Sequence, residues 1–216
     1  MPLNFLLDLD GTLIDSAPDV LGMFEKVLAG VPVPSGVRID RSHIGRPVRE
    51  ILHMLLPEAT PAQVERLNGE FRRMYDNCGF PSSVLYEGVR ETLDILSSRG
   101  DELFLVTNKP VKPTQELLRK FGLKVFRDLI CPDMHGPRNI AKDEMIKIIL
   151  ERHGLNRRRT IMVGDAELDI HAARTAGVRV AAALYGYGDS EKIITLKPDF
   201  LLKEFSGLLT LCAGPE

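Results

Sequence analysis

Asp8 and Asp10 stand two residues apart at the end of the apolar run Phe5-Leu6-Leu7, just before Gly11-Thr12-Leu13. In an extended strand, residues i and i+2 point to the same side, so both carboxylates leave the strand end together. Like charges held that close repel, and a shared proton or a metal cation must offset them. An ordinary Asp-Gly turn would explain the string alone. Its place at the end of the first strand is where open α/β sheets bind ligands.

Three later strings bring matching groups. Leu103-Phe104-Leu105-Val106 ends in Thr107-Asn108. A hydroxyl and successive backbone amides at a strand tip can hold phosphoryl oxygens. Thr160-Ile161-Met162-Val163 ends in Gly164-Asp165, with Asp169 four residues on. Gly164 allows a tight turn, and Asp165 is expected to project toward Asp8. Magnesium takes one or two carboxylates together with waters and substrate phosphate. Asp8 and Asp165 would form that pair, with the main-chain carbonyl of Asp10 as a third oxygen. Lys142 opens a helix, a poor place for a cation on dipole grounds. A site crowded by carboxylates and a transferring phosphoryl group needs fixed positive charge, however. Lys142 is the candidate, with Asp169 to hold it, and Lys109 beside Asn108 is its rival. Each string alone reads as a turn, a helix N-terminal acid or a surface lysine; three strand-end acid positions in one sheet read as a site.

The elements that must position these residues follow from periodicity. Beyond residue 85 strand-like and helix-like segments alternate. Val89, Leu93 and Leu96 share a helical face; a helix over 113–121 stops at Gly122, one from Lys142 to His153 at Gly154, and another at Gly177. Leu129-Ile130, 160–163, 178–184 and Asp199-Phe200-Leu201 read as strands, and a short last helix follows. That alternation predicts an α/β fold, a doubly wound parallel sheet with helices on both faces. The stretch from Asp15 to Leu85 breaks the pattern and reads as helices without a convincing strand. Ser16 with Asp19 suggests a capping box, Pro47 and Pro61 open two further helices, and Val64, Leu67, Phe71 and Met74 form an inner face. The expected organisation is a core of residues 1–15 and 83–216 carrying an inserted all-helical cap of residues 16–82.

Composition narrows the function classes. The chain has 216 residues, enough for one large domain with a small insert. With 28 basic against 30 acidic residues there is no electrostatic footprint for nucleic acid or an anionic membrane. No apolar run has the length of a membrane span, and no signal peptide is evident. Cys78, Cys131 and Cys212 are sparse and without metal-ligand spacing, which fits free thiols in a reducing compartment. A cytoplasmic protein is expected, as monomer or homodimer.

Asp8-Leu9-Asp10-Gly11-Thr12-Leu13, Thr107-Asn108-Lys109-Pro110, Lys142 and Gly164-Asp165 through Asp169 together resemble the four motifs of the haloacid dehalogenase superfamily. Glu87-Gly88-Val89, Asp169-Ile170-His171-Ala172-Ala173-Arg174 and Tyr185-Gly186-Tyr187-Gly188 extend the match over nearly the whole chain. It is similar to the phosphoglycolate phosphatase-like branch, with a helical cap on a Rossmann-like core. Many relatives carry Lys-Pro-x-Pro before the third motif's helix; here the segment is Gly136-Pro137-Arg138-Asn139-Ile140-Ala141-Lys142, as in some nucleotidase-like members.

The resemblance implies a magnesium-dependent phosphatase of a small phosphorylated metabolite. Asp8 would form an aspartyl-phosphate. Asp10 would protonate the leaving oxygen and then deprotonate the hydrolytic water. Thr107 and Asn108 would bind phosphoryl oxygens, while magnesium and Lys142 neutralise charge. The acid at position 10 sets the chain apart from dehalogenases and phosphonatases of the superfamily. A phosphomutase, or a nucleotidase or pyrophosphatase-type hydrolase, is the alternative. Selectivity is assigned to the cap turn Ile44-Gly45-Arg46-Pro47, where Arg46 or Arg49 would fork onto a second anionic group.

Overall fold

A computed structural model describes residues 2–135 and 139–211. Gly136, Pro137, Arg138 and Cys212 lie outside the described residues. The chain begins with β1 (Asn4–Leu7), β2 (Ile14–Asp15), α1 (Ala17–Val27), α2 (Val48–Leu55), α3 (Pro61–Tyr75) and β3 (Val84–Leu85). Strand and helix then alternate: α4 (Val89–Ser98), β4 (Glu102–Val106), α5 (Val111–Lys120), β5 (Asp128–Ile130), α6 (Lys142–His153) and β6 (Thr160–Gly164). The series closes with α7 (Glu167–Ala176), β7 (Arg179–Ala183), α8 (Ser190–Thr195) and β8 (Phe200–Leu202).

Six of the eight described strands, all but β2 and β3, form one sheet in the order β5-β4-β1-β6-β7-β8, with every neighbouring pair parallel. β1 is apolar on both faces because both are covered. Leu6, Phe104 and Met162 pack on one side with Ile146 and Ile149 of α6 and Ile170 and Ala173 of α7. Phe5, Leu7, Leu105 and Val163 face the other side, with Leu93 and Leu96 of α4 and Leu117 of α5. The order reverses at β1: the chain builds β4 and β5 on one side, then crosses to β6 on the other. Leu7 lies level with Leu105 and Val163, so the three strands end together and their following residues share one crevice.

The helices α1 to α3 leave and rejoin the sheet through β2 and β3, which pair antiparallel with Ile14 opposite Leu85 and Asp15 opposite Val84. Sequence periodicity detects no strand there because two residues cannot display a period. The apolar faces of α1 to α3 join the same packed cluster as Phe5 and Leu7. Phe24, Phe71, Tyr75 and Phe80 form a chain of ring contacts at 4.5, 5.3 and 5.1 Å. Tyr75, rather than Met74, completes the buried face of α3; Met74 is half-buried.

The expected capping box at Ser16 and Asp19 does not form. Ser16 makes no side-chain cap on α1, and the Asp19 carboxylate instead accepts the Ser83 hydroxyl at 2.6 Å and the Ser82 amide at 3.1 Å. Asp19 thus ties α1 to the chain's return into β3. The capping box that does form joins Thr60 and Gln63 at the start of α3. Helix α8, which the sequence reading does not assign, is capped by the Asp189 carboxylate accepting the Glu191 and Lys192 amides. Cys78 and Cys131 are free thiols. Among the described residues, no helix is long and apolar enough to cross a membrane.

Removing the buried Asp19 carboxylate leaves the Ser83 hydroxyl and Ser82 amide without their acceptor. Asp19→Ala is therefore expected to cost about 1–3 kcal/mol. Urea unfolding should show a lower midpoint, and Asp19→Asn should recover part of the loss.

Candidate active site

Strand β1 hands Asp8 to the crevice, and its backbone stays in register because the Asp8 amide donates to Val163 O at 2.9 Å. Beyond it the chain turns back sharply, with the Leu13 and Ile14 amides both donating to Leu9 O. Gly11 sits at φ +79° in this turn, and a Cβ there would stand 2.2 Å from Asp165 Oδ2. Both conformation and space require glycine.

Asp8, Asp165 and Asp169 come together: one carboxylate oxygen from each lies within 4.8 Å of the others. All three are buried. Lys142, at the first position of α6, bridges two of them, with Nζ 2.7 Å from Asp8 Oδ2 and 2.5 Å from Asp169 Oδ1. Asp169 also accepts the Ala166 amide, which fixes it at the start of α7. Burial pushes the Asp8 carboxyl up to about 6, opposed by Lys142 and reinforced by Asp169. Burial opposes the Lys142 charge, yet Asp169 and Asp8 together hold its pKa above the ordinary lysine value.

Asp165 is placed differently. It accepts the Thr12 hydroxyl at 3.1 Å and the Tyr187 amide at 2.7 Å, and no cation pairs with it among the described residues. Burial, with the negative charges of Asp169 and Asp8, pushes it up to about 8. A buried carboxylate with only neutral partners beside two others is a site short of positive charge.

Asp10 turns away from this cluster. Its Oδ1 accepts the Ser16 hydroxyl at 2.5 Å, and both its oxygens lie 3.0 Å from Lys109 Nζ. Lys109 is also buried and donates to the Tyr75 hydroxyl of α3 at 2.7 Å. The two lysines therefore divide the acids: Lys142 belongs to Asp8 and Asp169, Lys109 to Asp10. The seryl and tyrosyl partners of this second group carry no motif that sequence reading could single out.

Thr107 is buried at the tip of β4, where its Oγ1 accepts the Lys109 amide at 3.2 Å and keeps a proton to donate. Asn108 reaches across to the insertion and donates to Gly45 O at 3.3 Å. Above the strand tips lies a cavity of about 570 Å³, lined by Asp10, Lys109 and Lys142 below and by Arg46, Arg49 and Arg72 above. Arg49 forks onto Glu65 at 2.9 Å through two nitrogens, whereas Arg46 has no ion-pair partner among the described residues. Arg72 and His171, which also line the cavity, were not among the sequence candidates.

A model of the haloacid dehalogenase-like hydrolases matches residues 5–183, from β1 through β7. The chain belongs to this family. Relatives of this hydrolase include the phosphoglycolate phosphatase of Vibrio cholerae, 34% identical, with 94% of this chain and 93% of that one covered. The phosphoglycolate phosphatase of Pseudomonas putida is 30% identical, covering all of this chain and 81% of its own. A solved structure described as a predicted phosphoglycolate phosphatase from Haemophilus somnus superposes on the hydrolase with a TM-score of 0.84 at 28% identity, covering 97% and 96% of the two chains.

Two glycines supply a contrast in how tightly the site is packed. A Cβ on Gly186 would fall 2.3 Å from Asp165 Cβ and 2.4 Å from Gly11 O, whereas one on Gly22, within α1, meets nothing. Gly186→Ala is expected to lower the melting temperature of the hydrolase. Gly22→Ala is expected to stabilise it by about 0.5–1 kcal/mol, the ordinary gain in a helix interior. Parallel thermal melts check both.

Proposed function

We propose that this chain is a magnesium-dependent phosphatase acting on small phosphate monoesters of the phosphoglycolate kind through an aspartyl-phosphate on Asp8. The observation that carries the reading is Asp165, a buried carboxylate with neutral partners only, set beside Asp8. Such a site fits a hard divalent cation, which favours carboxylate oxygen. Asp8 and Asp165 would hold it, with the carbonyl of Asp10. When bound, magnesium would neutralise phosphoryl charge and Asp8–Asp165 repulsion. Asp169, the third acid of the cluster, is already engaged by Lys142 and supports from behind.

In the first half-reaction an Asp8 oxygen attacks phosphorus and the bond from phosphorus to the ester oxygen breaks. The leaving alkoxide takes a proton from Asp10. Thr107 and Asn108 hold the phosphoryl oxygens, and Lys142 counters their charge. In the second half a water attacks the same phosphorus while the Asp10 carboxylate takes its proton. The Asp8–phosphorus bond breaks and inorganic phosphate leaves. Splitting the displacement in two lets one aspartate serve as acid and then base.

The cavity's upper wall would choose the substrate. Arg49 is engaged by Glu65, so Arg46 is assigned to a second anionic group such as a carboxylate. Helices α1 to α3 act as the cap, excluding bulk water when closed. A small phosphorylated metabolite in the cytoplasm is the proposed partner, with neither nucleic acid nor membrane involved.

Asp8→Asn is expected to lower p-nitrophenyl phosphate hydrolysis by at least about a thousandfold without changing the circular dichroism spectrum. Retained turnover would remove the nucleophile assignment. Chelation should stop the wild-type enzyme and added magnesium should restore it. Arg46→Ala is expected to raise KM about tenfold or more for phosphoglycolate and far less for p-nitrophenyl phosphate, which lacks a carboxylate.

A further inference from the structure

Tyr187 lies in the loop after β7 and touches two separate parts of the site. Its amide donates to Asp165 Oδ2 at 2.7 Å. Its hydroxyl accepts the amides of Ser16 at 2.7 Å and Ala17 at 3.0 Å and donates to Asp15 Oδ1 at 3.0 Å. The neighbouring Gly186 and Gly188 let the loop approach this closely, since a Cβ on Gly188 would stand 2.0 Å from Asp165 O. Tyr187 and Ser16 are both buried.

The first amides of a helix have no partner within it, and a serine just before a helix ordinarily turns its hydroxyl onto them. At α1 that arrangement is reversed. Tyr187, from the loop after β7, covers the helix start from outside, and the Ser16 hydroxyl is left to donate to Asp10 Oδ1 at 2.5 Å. A continuous path therefore runs from Asp165 through the Tyr187 side chain and the Ser16 backbone to the Asp10 carboxylate.

We infer that Tyr187 is a positioning residue for Asp10, acting through Ser16 to aim the carboxyl that protonates the leaving group. This rests on the assignment of Asp10 as the acid. Without the tyrosyl oxygen the Ser16 amide loses its acceptor and the Ala17 amide keeps only Asp15 Oδ1 at 3.2 Å, so the Ser16 backbone shifts and its hydroxyl no longer holds Asp10 Oδ1 against Lys109. The ring and the amide bond to Asp165 persist in Tyr187→Phe, so the acidic cluster keeps its support.

The test compares kcat/KM for two esters. Phosphoglycolate releases an alkoxide that needs a proton, whereas p-nitrophenolate leaves without one. In Tyr187→Phe and in Ser16→Ala the phosphoglycolate value is expected to fall about tenfold further than the p-nitrophenyl value, a fraction of what a general acid contributes. The double variant should be no worse than the worse single, because both act on one path. Equal losses on both esters, or additive losses, would overturn the inference and leave Tyr187 as a helix cap alone. Asp10→Asn serves as the control, with one equivalent of p-nitrophenolate expected in a burst and phosphoglycolate left intact. If Asp10→Asn loses both esters in equal proportion, the acid assignment itself fails and the inference falls with it. If Asp10→Asn discriminates and Tyr187→Phe does not, only the inference falls.

Discussion

Three carboxylates buried within reach of one another, with a single ammonium between them, are the constraint that organises this molecule. Charges taken from water are costly unless geometry and hydrogen bonds compensate closely. Each acid therefore carries its own support: Asp8 the Leu9 amide and Lys142, Asp169 the Ala166 amide and the same lysine, Asp165 the Thr12 hydroxyl and the Tyr187 amide. Those supports come from the turn after β1, α6, the start of α7 and the loop beyond β7. The sheet order, with β1 between β4 and β6, is what allows elements so distant in sequence to meet. Gly11, Gly164, Gly186 and Gly188 all approach Asp165 or Asp169 more closely than any Cβ would permit. The cluster is packed as tightly as a hydrophobic core, although it is built from charge.

A second, separate charge group faces the insertion. Lys109 joins Asp10 to Tyr75 of α3, and Asn108 joins the same strand tip to the Gly45 carbonyl. The end of β4 therefore bonds at once to the sheet crevice and to the helices above it. Asp10 takes its contacts from both, and this sets it apart from Asp8, whose partners all belong to the sheet and its helices.

Much of this was legible in the sequence because it depends on local rules. Apolar runs that stop at Asp8, Thr107 and Asp165 mark strand ends, and Gly154 and Gly177, both at positive φ, close α6 and α7 as expected. Reading failed where a side chain chose a distant partner over a near one. Ser16 and Asp19 have the spacing of a capping box, but Asp10 won the first, and the Ser82 amide with the Ser83 hydroxyl won the second. Tyr75 replaced Met74 on the buried face because its hydroxyl meets a buried ammonium there. The division of Lys109 and Lys142 between Asp10 and Asp8 likewise rests on tertiary placement, which spacing does not encode.

The two-residue ribbon of β2 and β3 brings residues 15 and 84 side by side, although 68 residues separate them in sequence. The ribbon thus joins the two ends of the insertion at the sheet. Loop closure depends only weakly on length once the ends are pinned, so what lies between them is free to lengthen, shorten or be exchanged. Asp8 and Asp169, whose partners belong to the sheet and its own helices, stand apart from such changes, whereas Asp10 and Lys109 are bonded to the insertion. Inheritance can revise the arginines of the cavity's upper wall while leaving Asp8, Asp165 and Lys142 in place, and new selectivities can arise without reinventing the chemistry.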